Sequence, residues 1–145
     1  MKKPTVKNER GAAAVEFALV LPLLLLLVFG GIEFGLLMFN KQVITNASRE
    51  AARAGIVFQT PRLAQGSIES TALDYCQDFL VTFDPDSTGA TATAIRPVDP
   101  ESGDDLTVTV VYRYEFLLLP NLRNLFGGDA EAAMDIVATT TMRYE

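Results

Sequence analysis

The 145-residue chain contains no histidine, and that absence removes a broad class of chemistry. Ser-His-Asp and Cys-His catalysis need an imidazole to carry the proton, and imidazole is also the commonest metal ligand. A catalytic site would have to be assembled without it, so a non-enzymatic role is expected, with no cofactor, no metal and no small-molecule substrate. Cysteine is nearly as scarce, since Cys76 stands alone. No disulfide can close within the chain, and an unpaired thiol in an oxidising compartment is either buried or available to another molecule. Burial is the expectation, because free cysteine commonly behaves as a small core residue. Positive charge is also short: 12 Lys and Arg face 18 Asp and Glu, a net charge of −6. Such a surface does not bind a phosphate backbone, so nucleic acid is excluded as a partner.

What the chain has in excess is apolar character, 49% of residues with a mean hydropathy of +0.22, and much of it lies in one block. Positions 17–39 hold a single charge, Glu33. That length matches the roughly 20 residues a helix needs to cross a hydrocarbon core, so one transmembrane span and contact with the lipid bilayer are expected. Lys2, Lys3, Lys7 and Arg10 precede it against Glu9, whereas residues 40–145 carry 8 basic and 15 acidic side chains. By the positive-inside rule the N-terminus stays cytoplasmic and the C-terminal part is exported, to the periplasmic side of a bacterial inner membrane. A secretory signal removed after its apolar run is the competing reading. It fits poorly, because the run exceeds an ordinary h-region and the nearest small-x-small triplet, Ala52-Arg53-Ala54, lies far beyond it.

At the mouth of the span sits Glu16. A charge within a bilayer is costly, so the carboxylate is either tolerated in the first helical turn, where the macrodipole favours an acid, or retained because something pairs with it. The flanking residues are a basic leader ending at Gly11, the small residue Ala12, and Phe17 directly after the acid. This arrangement resembles the class III signal of type IV pilins. With "GAAAVEFALVLPLLLLLVFGGIEFG" followed by "ITNASREAARAG", and an ending "TTTMRYE", the chain resembles the TadE-like pseudopilins of tight-adherence (Flp) pilus systems. The resemblance is specific over the first 55 residues, through Gly11, Glu16, Phe17, Pro22, Glu33, Phe34, Gly35 and the Arg49-Glu50-Ala51-Ala52-Arg53 block. It implies cleavage between Gly11 and Ala12 by a prepilin peptidase, retention of the span, and pairing of Glu16 with a freed α-amino group, usually a neighbouring subunit's. The implied partners are that peptidase, other pilin-like subunits and the Tad secretion machinery. The implied role is in assembly of a pilus used for surface adherence.

Further along the helix, Pro22 removes a donor and crowds the carbonyl of Ala18; it is either a hinge or a tolerated break. Glu33 lies about 25 Å beyond Glu16 at 1.5 Å per residue. It is either an interhelix contact beside the small residues Gly30, Gly31 and Gly35, or a solvated interfacial acid. Val43, Ala47, Ala51 and Ala54 continue a helical stripe narrow enough for close packing against another helix, so a single helix from Ala12 to Val57 is expected.

Thr60-Pro61 ends it, and a second helix around 67–81 follows. Strand-like runs cover 90–98, 106–116 and 134–144, the middle one alternating from Leu106 to Phe116. The turn "DPESGDD" between the first two predicts an antiparallel hairpin. The expected class is α+β: a long N-terminal transmembrane spine, then a small exported domain with a helix packed on a roughly three-stranded antiparallel sheet. The segments are a leader at 1–11, the transmembrane helix at 12–39, a helical extension at 40–58 and the exported domain at 59–145. "DPDSTG" at 84–89 imitates the start of an EF-hand loop, but Ile95 stands where the bidentate glutamate is needed, so an ordinary turn is expected. Asp99, Glu101, Asp104 and Asp105 read as a solvated turn. Asn46-Ala47-Ser48 fits a glycosylation sequon by chance within a helix, and "LLLPNLRNLFGG" at 117–128 either covers a sheet edge or forms a docking patch. A different class of function, an unprocessed single-span membrane scaffold or sensor whose exported domain binds a ligand or an envelope partner, would retain its leader and be indifferent to Gly11.

Overall fold

The structure is a computed structural model and describes residues 9–83, 89–116 and 133–144, with side chains from Gly11 onward. Its spine is α1, Glu9–Ile56, 48 residues long. At 1.5 Å per residue it extends about 72 Å. Leucine and alanine, both strong helix formers, favour that conformation through the apolar half, and the helix runs through Pro22 as one continuous element. It ends just ahead of Gln59-Thr60-Pro61, as expected, because Pro61 has no amide to donate and disfavours helical geometry at Thr60.

The chain then reverses. Helix α2, Gln65–Phe79, starts two residues earlier and ends two earlier than expected. Its N-terminus has no side-chain cap; the Ser67 and Ile68 amides donate to the Ala64 carbonyl at 3.0 and 3.2 Å instead. Its buried residues, Ile68, Ala72 and Cys76, recur every four positions and form the face toward α1 and the sheet. Burial of Cys76 agrees with its reading as a small core residue.

Three antiparallel strands, β1 (Ala90–Ile95), β2 (Asp105–Glu115) and β3 (Ala133–Arg143), form one sheet in the order β1-β2-β3. The β1-β2 hairpin is present, with Ala90 opposite Tyr112 and Ile95 opposite Thr107. Strand β1 stops at Ile95, short of the expected Val98, because Pro97 has no amide to donate to the ladder. The connection turns at Gly103, whose φ of 98° suits glycine, and its amide donates to the Tyr144 carbonyl at 2.8 Å. The alternation in β2 holds: Leu106, Val108, Val110, Tyr112 and Tyr114 are buried while Arg113 and Glu115 are exposed.

The core lies between the buried face of this sheet and the two helices. The alanine stripe of α1 packs there: Ala47 and Ala51 are fully buried with Ile44, and Ala54 only partly. Small side chains let the spine approach both α2 and the sheet closely. The approach is tight at Gly55, where an added Cβ would lie 2.5 Å from Leu106 Cδ2 and 2.8 Å from Ile68 Cδ1. The stripe expected to meet another helix therefore meets a helix and a sheet of the same chain. The architecture is α+β with an N-terminal helical spine.

Candidate assembly helix and its seat in the head

Helix α1 is divided by burial into two halves. From Ala12 to Val28 its residues are almost all exposed, with Phe17 at 62% and Leu19 at 74%. This half has the length and apolarity of a membrane span. Gly11 and Ala12 both lie in the helix, about one turn before Glu16, and Glu16 projects from an exposed position. Pro22 is exposed on the same half. The leader residues 1–8 lie outside the described residues, as do most of "DPDSTG" and all of "LLLPNLRNLFGG".

The second half is seated in the head, and its buried face begins at Glu33. Glu33, Leu37, Asn40, Ile44, Ala47 and Ala51 are buried and recur at steps of three and four, as one helical face must. Glu33 is only 1% exposed, so it is not a solvated interfacial acid. The Tyr114 hydroxyl, from the far end of β2, donates to its Oε1 at 3.1 Å. Desolvation, then the adjoining Glu33 charge, raises the Tyr114 pKa above the ordinary phenol range, which keeps the hydroxyl protonated as a donor. Among the described residues, a Cβ added at Gly30, Gly31 or Gly35 would meet nothing within 4 Å, so these glycines make no close contact there.

Two further polar groups on this face are not apparent in the sequence. Asn40, fully buried, donates from Nδ2 to the Val81 carbonyl at 2.7 Å and accepts the Val81 amide at 3.0 Å, tying the segment after α2 to the spine. Ser48 shares a hydrogen bond with the Thr140 hydroxyl of β3 at 2.8 Å. Lys41 Nζ also donates to the Val137 carbonyl. These contacts set β3 alongside α1 in matched register. Residues 41 and 48 of the helix meet 137 and 140 of the strand, about 10 Å apart along each element.

The arrangement is a rigid head mounted on a bare apolar helix. Such a helix can enter a bilayer or pack laterally against copies of itself, while the head cannot shift along it without breaking buried hydrogen bonds. Residues 11–53 match the family model of TadE-like proteins. The matched stretch covers Gly11, Glu16, the apolar half and most of the seated face, and it points to a Tad pilus-associated protein. Comparison with curated proteins and with solved structures gives no match.

Proposed function

We propose that the protein is a minor pilin-like subunit of a Tad/Flp pilus machine, cut after Gly11 by a prepilin peptidase and assembled through its apolar helix. The observation that carries this reading is the exposed helix with Glu16 about one turn beyond Gly11, within the stretch matching the TadE-like family. Hydrolysis of the Gly11-Ala12 peptide bond frees an α-amino group, which ordinarily titrates at about 7.7–8.0, at the end of a helix that stays in the bilayer. Glu16 pairs with that amine on a neighbouring subunit. Each charge alone is expensive in low dielectric, and pairing offsets the two. Phe17 packs beside the pair, Pro22 loosens the helix for its passage between membrane and assembly, and Gly30, Gly31 and Gly35 leave room for a neighbouring helix.

The basic leader stays in the cytoplasm and the acidic head lies outside the inner membrane, by the charge asymmetry across the span. The protein works as a structural subunit rather than an enzyme, and adherence belongs to the assembled pilus. The test is Glu16→Gln in the native host. Membrane insertion should persist while co-purification with pilus components falls; unchanged co-purification would remove the pairing role.

A further inference from the structure

The membrane-proximal end of the head carries apolar side chains at a height fixed by α1. The hydrocarbon core is about 30 Å thick and a helix rises 1.5 Å per residue, so a span entering at Glu16 leaves the core near Leu36. The interfacial layer adds about 5–8 Å, reaching the level of Asn40. Yet the head is already attached to α1 at Glu33, through Tyr114. The end of β2, and the start of β3 paired with it through Tyr114 opposite Met134, therefore lie at or below the outer boundary of the hydrocarbon core.

The side chains at that end suit such a position. Met134, on the same face of β3 as the buried Ile136 and Ala138, is 45% exposed. Phe116 stacks edge-on against Tyr114 with centroids 5.3 Å apart and is half-buried. On α1 itself Phe34 and Phe39 are exposed at the same level. Tyrosine concentrates at the membrane-water interface because its ring is apolar and its hydroxyl polar, while Phe116, Phe34, Phe39 and Met134 offer purely apolar surface to the acyl chains. Arg113, Glu115 and Asp135 fall on the outward face of the sheet, where headgroups and water reach them.

We infer that the head is not held above the membrane on a stalk: its proximal end, Tyr114, Phe116 and Met134 around Glu33, is seated in the outer interfacial layer of the bilayer. The occupant of this apolar surface is lipid, continuous with the lipid around the span. Tyr114 keeps the Glu33 carboxylate out of it. The inference rests on reading the exposed half of α1 as a membrane span.

The chain has no tryptophan, so single substitutions report depth directly. Phe116→Trp and Met134→Trp in the full chain, reconstituted in phosphatidylcholine vesicles, should lose emission in lipids brominated near the headgroup end of the acyl chain and resist iodide. Val98→Trp, at the opposite end of the head and 90% exposed in the native residue, should show the reverse. Leu25→Trp, within the span, should be quenched by deeply brominated lipid. If Leu25→Trp is quenched while Phe116→Trp and Met134→Trp are both open to iodide and blind to bromine, the seating is overturned and the span stands. If Leu25→Trp is not quenched, the span reading and the seating fall together.

Discussion

The Tyr114 hydroxyl reaches across 81 positions of sequence to donate to the Glu33 carboxylate at 3.1 Å, joining the far end of the sheet's central strand to the helix where it leaves its apolar half. One acid inside the apolar run thus marks where the bare helix ends and the head begins.

Removing that donor should loosen the junction. Tyr114→Phe keeps the ring and its contact with Phe116 but withdraws a charge-assisted hydrogen bond from a buried carboxylate. The expected loss is about 1–3 kcal/mol of head stability, read from chemical denaturation in detergent micelles. Glu33→Gln, which can still accept from Tyr114, should lose less.

Asn40 closes a second junction. Asn40→Leu has similar bulk but strands both the amide and the carbonyl of Val81, so the segment after α2 should detach from the spine. A destabilisation of about 1–3 kcal/mol is expected, with faster amide exchange at Val81 than in the parent protein.

Gly55 tests the close approach of spine and head. Gly55→Ala improves helix propensity, yet its methyl would press on Leu106 and Ile68. Both contacts are the flexible ends of side chains, so the protein should still fold, at a cost of about 1–3 kcal/mol in unfolding free energy. A rise in stability would show that the two side chains move aside freely.

Burial raises the Cys76 thiol from 9.0 to about 11. The unfolded thiol ionises first as pH rises, so the stability linked to it is full below about pH 9 and is lost through about pH 11. Thiol-specific alkylation at pH 8 should be slow in the folded protein and fast in denaturant. Equal rates would place the thiol at the surface.

Fold and site differ in how far the sequence reveals them, for physical reasons. Strand β2 is legible because alternate burial has a period of two and its residues follow it from Leu106 to Tyr114. The spine is legible because leucine and alanine dominate its apolar half, and because Pro22 is a break that a membrane helix can tolerate. Glu33 is ambiguous because chemistry and periodicity point in opposite directions. A carboxylate suggests water, yet its position two heptads before Ala47 places it on the same face as that buried residue. Asn40, one heptad from both, carries the same signal. Their partners, Tyr114 and Val81, are distant in sequence, and only the folded head supplies them. Gly11 and Glu16 need no fold to be noticed, since their spacing is local, but the role of that spacing comes from resemblance rather than from any contact made within one chain.

The most direct measurement is the mass of the membrane-extracted protein from its native host, with intact-mass analysis and sequencing of the N-terminal peptide. The account predicts a mature chain beginning at Ala12, and retention of the leader when the host's prepilin peptidase is deleted. A protein that keeps Met1 to Gly11 in a host with active peptidase, or begins at any residue beyond Ala12, would contradict it.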